Sequence, residues 1–424
     1  MVDIARVNIW GQLAGAIAWN ESSKSTVFEY DKNFIKQGYD IAPLQMPLEE
    51  AGNRSIFTFP TLQFDTFKGL PGLLSDSLPD RFGSRLMNIW LTALGKTSES
   101  INPIERLCYI GKRGMGALEY EPAIMSETSN LVKIEDLVKI AQDIVHTKKG
   151  FKADLSDKGV HEIFMVGTSA GGARAKAVIA YHPGTGEVRS GQIEGLEGYE
   201  YWIIKFDGVY GHQFGESQAH CNIEYAYYLM ALDCGIEMSK CSLLQENERS
   251  HFMTKRFDRS GSEKVHMQTL CAIAHYDYND PLSYSYEQIF QIMRRLRLPY
   301  HDAEQMFRRM VLNVIAENRD DHTKNISFLL EKNGKWKLAP AYDLTFAYNP
   351  ANKWTGVHQL SVNNKRTDIR EDDMLEVATK MNIRKPLEII EQVRDTVRRW
   401  KQFASLAGVR KDTMESIQKV LYQA

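Results

Sequence analysis

The residues best equipped for chemistry lie in Asn318-Arg319-Asp320-Asp321-His322-Thr323-Lys324-Asn325. Asp320 follows a basic residue, and an amide stands five positions later at Asn325. A carboxylate can orient an attacking hydroxyl and take its proton. An amide oxygen is a hard donor that suits a magnesium ion. The next residues bring a second carboxylate. Ile326-Ser327-Phe328-Leu329-Leu330 reads as a short buried strand, Glu331-Lys332-Asn333-Gly334-Lys335 as a tight turn built on Asn-Gly, and 335–338 as the return strand. Ala339-Pro340-Ala341-Tyr342 then leads to Asp343. Polar clusters of this kind are usually solvated loops or helix caps. A plain surface loop, however, does not predict a carboxylate after the following strand, and this raises the octapeptide above that reading.

The spacing is that of the protein-kinase catalytic loop, H-R-D-x-x-x-x-N, with Asn318 where the histidine usually stands. Asp320-Asp321-His322-Thr323-Lys324-Asn325, followed by Ala339-Pro340-Ala341-Tyr342-Asp343-Leu344, resembles more closely the HipA family of bacterial serine/threonine kinases, the toxins of type II toxin–antitoxin pairs. The resemblance covers about residues 1 to 345. The rest is similar only in its helical character. One departure is Asp343-Leu344-Thr345, where kinases carry D-F-G. Without the glycine a different, less mobile activation segment is expected.

Three stretches upstream must position this loop's partners. The first is Val166-Gly167-Thr168-Ser169-Ala170-Gly171-Gly172-Ala173-Arg174-Ala175-Lys176, ahead of a strand at 177–181. Small residues let backbone N–H groups approach a phosphate closely. It is not a Walker A loop, since Ala175 precedes Lys176 and Ala177 follows. On composition alone such a turn is more often a plain hairpin. The resemblance makes it the phosphate-binding loop, with Ser169, Ala170, Gly171, Gly172, Ala173 and Lys176 against the nucleotide. It also implies autophosphorylation at Ser169, with Thr168 the neighbouring rival, as a device that ejects the loop and turns the kinase off. A phosphate there adds roughly −1.5 to −2 charge, which would repel the triphosphate the loop covers.

The second stretch is Tyr201-Trp202-Ile203-Ile204-Lys205-Phe206. A lysine in an apolar strand needs an anionic partner unless it snorkels to solvent. Lys205 matches the kinase strand lysine that grips the α/β-phosphates. Glu224, one turn into a helix over 220–232, is the expected partner; Glu216 lies in the preceding loop. The third is Phe252-Met253-Thr254-Lys255-Arg256-Phe257-Asp258-Arg259, a strand entering a turn. By the resemblance this is the hinge between the lobes, with Lys255 and Phe257 beside the adenine. Phe257 fits a core position equally well, and a buried Arg256–Asp258 arrangement would be structural.

The remaining pattern supplies scaffold. A β-meander opens at 4–19, with further strands at 28–30 and 55–59. Gly69-Leu70-Pro71-Gly72-Leu73-Leu74-Ser75-Asp76-Ser77-Leu78-Pro79-Asp80-Arg81-Phe82-Gly83 resembles the HipA N-terminal subdomain, with Ser77 or Pro79 starting a helix. Gly111-Lys112-Arg113-Gly114-Met115-Gly116 has the wrong order for a dinucleotide fingerprint and reads as a turn ending the first domain. An amphipathic helix over 131–146 precedes a polar linker over 148–159. Helices are expected over 265–274, 286–298, 302–317, 371–382, 385–404 and 411–422.

The fold class is therefore α+β: a two-lobed, protein-kinase-like fold with a strand-rich N-terminal part, including an extra N-terminal subdomain, and an all-helical C-terminal lobe. The expected domains are 1–125, the N-terminal α/β subdomain; 126–260, the kinase N-lobe; and 261–424, the C-lobe with the catalytic loop.

Composition bounds the function. The 424 residues are 43% hydrophobic and 25% charged, ordinary for a globular protein of two or three domains. A net charge of −2 gives no support for a broad nucleic-acid footprint. The five cysteines form no C-x-x-C pair, so a zinc site is not expected and a reducing cytoplasm is. There is no signal-peptide pattern at Met1-Val2-Asp3-Ile4-Ala5-Arg6 and no apolar run of membrane-spanning length.

The roles follow as expectations. Asp320 takes the hydroxyl proton; Asn325 and Asp343 hold Mg²⁺; Lys205 and the Gly171/Gly172 loop hold ATP. Lys324 adds charge near the γ-phosphate, and His322 either joins the nucleotide site or holds the loop by hydrogen bonds. The resemblance implies a protein substrate, an aminoacyl-tRNA synthetase in some members, and a small helix-turn-helix antitoxin that is HipB-like and carries any DNA contact. The alternatives are a pseudokinase-like binding module and a protein acting mainly as co-repressor with that antitoxin.

Overall fold

The computed structural model describes residues 2–51, 56–124, 133–146, 174–193, 195–209, 220–261 and 263–421. The chain divides into two compact units, Met1–Ser217 with Leu244–Gln268 and Leu329–Lys335, and Gln218–Leu243 with Thr269–Phe328 and Trp336–Ala424.

The first unit holds two antiparallel sheets. One has the order Phe57–Thr58, Ser25–Tyr30, Gln12–Asn20, Ile4–Ile9, Leu118–Glu121. Its alternation is that of a half-buried strand: Ala5, Val7 and Ile9 are buried while Ile4 and Arg6 are exposed. The meander turns at Trp10 and Gly11, both at positive φ (51° and 75°), as a two-residue turn matched to strand twist requires. The other sheet runs Val188–Ser190, Lys176–Tyr181, Glu200–Lys205, Arg249–Lys255, completed at the edge by 244–246 of the strand Cys241–Glu246. Ala177, Ile179, Trp202 and Ile204 on its inner face pack with Phe82 and Leu137, from the helices Arg81–Ala93 and Ile134–His146. The helix expected to begin at Ser77 or Pro79 begins at Arg81. The reason is Asp80, whose carboxylate accepts from Gly83 N (2.6 Å) and caps the open N–H groups of the first turn.

A buried ion cluster ties the amino-terminal part of this unit to its second sheet. Arg256 donates to both Asp258 oxygens (Nε to Oδ1 2.9 Å, Nη2 to Oδ2 2.7 Å), and Arg259 Nη1 and Gly116 N reach Oδ2 at 2.8 Å each. Arg256 and Asp258 side chains are 0% exposed, so the arrangement read from sequence as structural is present. Gly116 has φ +74°, and a Cβ there would meet Met267 N at 3.0 Å. The glycine turn is thus fixed by Asp258.

The second unit is built on the helices His220–Asp233, Tyr286–Arg295, Tyr300–Ile315, Glu371–Met381, Pro386–Arg398, Trp400–Leu406 and Lys411–Leu421. It is not all-helical. Tyr284–Ser285 pairs in parallel with Leu360–Ser361, and Trp336–Leu338 is a strand ahead of Asp343. The fold is thus a mixed α/β one beyond residue 261 as well. Two helix expectations also change. Residues 266–269 are a strand, His266–Thr269, and the helix Leu270–Ala274 starts only where Thr269 Oγ1 accepts from Ala272 N (3.1 Å). The helix expected over 385–404 breaks at Arg399, because Trp400 is fully buried and donates from Nε1 to Met414 O (3.1 Å).

Candidate active site

The helix Tyr300–Ile315 delivers the chain to the loop 318–325. Its end is closed by Asn318, whose N–H donates to Asn313 O (2.9 Å) and whose Nδ2 donates to Asn313 Oδ1 (2.8 Å). Asn318 is 2% exposed, so in place of a histidine the loop begins with a buried amide that locks it onto the helix. Glu317, at φ +53°, turns the chain and pairs with Arg319 (Nε to Oε2 2.5 Å). The Arg319 guanidinium also stacks 4.1 Å from the Tyr348 ring centroid.

Of the two adjacent aspartates only one is turned toward solvent. The Asp320 side chain is 43% exposed, with His322 Nε2 3.8 Å from its Oδ1. Asp321 is 3% exposed and fully used. Tyr286 Oη donates to its Oδ2 (2.9 Å), Gln359 N donates to Oδ1 (2.8 Å), and His358 Nδ1 lies 3.1 Å from Oδ2. Tyr286 Oη in turn accepts from Asn313 Nδ2 (2.9 Å). The result is a continuous buried chain, Asn318–Asn313–Tyr286–Asp321–His358, that pins the loop from below. Burial, and next the Asp321 charge, push the Tyr286 phenol well above its ordinary pKa, so it stays protonated and donating.

Asn325 closes the loop on itself, its Nδ2 donating to Asp320 O (2.8 Å) and its N–H to His322 O (2.9 Å). With the NH₂ so engaged, the amide oxygen is the atom left for the cavity that Asn325 lines. Asp343 lines the same small cavity. It sits at φ +56°, a left-handed backbone that aspartate tolerates better than most residues. Four contacts hold the segment that leads to it. Tyr342 Oη donates to Lys324 O (2.6 Å) and meets Ser327 Oγ (2.5 Å). Ala341 N donates to Glu237 O (2.8 Å). Arg309 Nη2 donates to Ala339 O (2.8 Å), and burial of this guanidinium pushes its pKa down to about 10.

Asp320, His322, Lys324, Asn325 and Asp343 are thus brought together in the helical unit. Lys324 Nζ lies 4.6 Å from the Tyr278 ring centroid, a cation–π contact that holds it at the loop. Asn325 Oδ1 and the Asp343 carboxylate, both on this cavity, are hard oxygen donors of the kind that suits Mg²⁺, which takes one or two carboxylates and completes its shell with water and phosphate. Among the described residues no group of three or more His, Cys, Asp or Glu is placed to hold a metal ion.

The other expected residues lie on other elements. Lys205 ends the strand Glu200–Lys205 in the first unit, 7% exposed, its Nζ 5.7 Å from the Phe252 ring centroid. Lys176 is its cross-strand neighbour, with Nζ 3.5 Å from Asp80 Oδ2 and both side chains buried, a structural engagement that the sequence did not signal. Lys255 Nζ pairs with Glu200 Oε1 at 2.7 Å; Phe257 is half-buried. Glu224 is fully buried in the helix His220–Asp233. Thr168, Ser169, Ala170, Gly171, Gly172 and Ala173 lie outside the described residues.

The model of the HipA-like C-terminal domain matches residues 168–400, and that of the HipA N-terminal domain matches 5–121. The chain belongs to the HipA family. Its fold is that of the Shewanella oneidensis HipA, solved with HipB and operator DNA: TM-score 0.67 at 16% identity, covering 98% of this chain and 94% of that one. The Helicobacter pylori proinflammatory kinase CtkA aligns at TM-score 0.33 and 12% identity, over 53% of this chain and 91% of that one. No curated protein sequence matches. Within this HipA-family chain, sequence reasoning missed Asp321, Tyr286, Asn313, His358 and Tyr342. Asp321 was in view, but in a loop nothing marks which of two adjacent carboxylates turns inward. The others lie 5 to 37 residues from their partners, and no sequence pattern links them.

Proposed function

We propose that this HipA-family protein is a toxin that transfers the γ-phosphoryl group of ATP to a serine or threonine of a protein. The observation that carries this reading is the convergence of Asn325 and Asp343 on one cavity, beside a loop whose only solvent-turned carboxylate is Asp320. Phosphoryl transfer asks mostly for positioning and charge neutralisation, and these residue types supply both. Asp320 orients the acceptor hydroxyl and accepts its proton. Asn325 Oδ1 and the Asp343 carboxylate would hold Mg²⁺, which when bound neutralises charge on the phosphates. Lys324 adds positive charge beside the loop, and Lys205 and the segment 169–173 serve the nucleotide. The buried Asp321 network and Tyr342, which line the same cavity, hold the loop by hydrogen bonds.

A small helix-turn-helix antitoxin is the partner we propose, by analogy with the Shewanella HipA held with HipB and DNA. No described helix is long and apolar enough to cross a membrane. Self-inhibition by phosphate on Ser169 completes the proposal. The test is incubation with γ-labelled ATP and Mg²⁺, followed by mapping of any phosphosite. Label on Ser169, absent from Ser169→Ala, is the expected result. Label on no residue of the chain and on no added protein would leave the co-repressor reading, with ATP turnover refuted.

A further inference from the structure

A second cavity, of about 840 Å³, opens within the helical unit where the end of Tyr300–Ile315 meets Pro386–Arg398 and Lys411–Leu421. Gln418 lines it and is 5% exposed. Among the described residues neither its Nε2 nor its Oε1 has a hydrogen-bond partner. A buried carboxamide with both ends unused is costly and uncommon, and asks for an explanation. The walls beside it are apolar, with Met374, Val397 and Leu421, and the rim carries the exposed Arg370 and Arg398. Two further arginines on the cavity are already neutralised: Arg319 by Glu317 and Arg394 by Glu371 (2.7 Å). Arg398 keeps only a surface pair with Asp395 (3.1 Å). The volume falls within the ~300–1,000 Å³ of small-molecule sites, which combine apolar walls with few convergent polar groups.

We infer that this cavity is a ligand site of its own, for a small molecule joining a planar donor–acceptor edge to a phosphate, as a nucleoside monophosphate does. The carboxamide of Gln418 donates and accepts on one edge, so its complement is an acceptor next to a donor, such as an imide or lactam of a base. A flat ring face suits the apolar walls, and the phosphate meets Arg370 and Arg398, with their fork of N–H donors. This inference uses none of the residues assigned to phosphoryl transfer.

Calorimetry on the full chain with uridine 5′-monophosphate tests it, with ribose 5-phosphate and 3-methyluridine 5′-monophosphate as controls that lack, or block, the base edge. We expect the first to bind and both controls to bind at least about tenfold more weakly, the loss of roughly one good hydrogen-bonded edge. Gln418→Leu should lose at least tenfold in affinity without lowering the melting temperature of the ligand-free chain. Should that variant not fold, the exposed Arg398→Ala still reads the site and should weaken binding severalfold. Lys205→Met should bind unchanged. No binding to wild type up to about 10 mM, equal binding of ribose 5-phosphate, unchanged affinity in both Gln418→Leu and Arg398→Ala, or loss in Lys205→Met would each overturn the inference.

Discussion

Replacing Asp321 with asparagine probes what holds the candidate catalytic loop. The buried carboxylate takes Tyr286 Oη and His358 Nδ1 on one oxygen and Gln359 N on the other. In Asp321→Asn the amide oxygen can keep Gln359 N, but the NH₂ then faces two groups that were donating. Tyr286 Oη already accepts from Asn313, and so it loses its acceptor outright. His358 can change tautomer and accept. Losing hydrogen bonds to a charged group costs about 1.5–3 kcal/mol each, and partial recovery at His358 leaves a net loss of about 2–4 kcal/mol. Tyr286→Phe should cost about 1–3 kcal/mol, because it strands the Asn313 amide and one lone pair of Asp321. The two share a bond, so the double variant should fall short of the sum by about 1 kcal/mol or more. Urea unfolding of the four proteins gives all three numbers. A loss below about 0.5 kcal/mol for Asp321→Asn, or strict additivity, would refute the claim that this network pins the loop.

Other outcomes follow from the same structure. Asp258→Asn removes the shared anion of Arg256 and Arg259 and should destabilise the first unit by about 3–5 kcal/mol, as breaking buried pairs does; urea unfolding of wild type and variant, with a fluorescence reporter in that unit, checks it. Burial alone would raise the Asp258 pKa, but Arg256 and then Arg259 outweigh it and hold the carboxyl well below its ordinary value. Its stabilisation is therefore full above the unfolded carboxylate pKa of about 3.9 and is lost as pH falls through and below that value; wild type should lose stability there more steeply than Asp258→Asn in acid titration of unfolding. Tyr342→Phe frees Lys324 O and Ser327 Oγ from the segment before Asp343, and should slow label transfer roughly tenfold for about 1–1.5 kcal/mol of lost positioning, with little change in melting temperature.

Much of the scaffold was legible because it obeys local rules. The alternating strand at 4–9, the strand at 200–205 and the Asn-Gly turn are the elements the structure contains: Gly334 sits at φ +78° and Asn333 Oδ1 accepts from Lys335 N (2.9 Å). The helix limits failed where one side chain overrides propensity, at Asp80, Thr269 and Trp400. The short strands of the helical unit were invisible, since Tyr284–Ser285 and Leu360–Ser361 pair across 76 positions and neither is apolar enough to announce itself. The site was legible in part. The spacing of Asp320, Asn325 and Asp343 is local and was read. The supports that choose Asp320 over Asp321 are not local, and only folding brings Tyr286, His358 and Tyr342 to the loop.

The most direct measurement is label transfer from γ-labelled ATP with Mg²⁺, comparing folded wild type with Asp320→Ala, Asn325→Ala and Asp343→Ala. Each variant should transfer at no more than about a hundredth of the wild-type rate, the scale of removing a positioned base or a charge-stabilising group. Transfer by any of Asp320→Ala or Asp343→Ala at the wild-type rate would contradict the assignment of this loop as the centre of phosphoryl transfer.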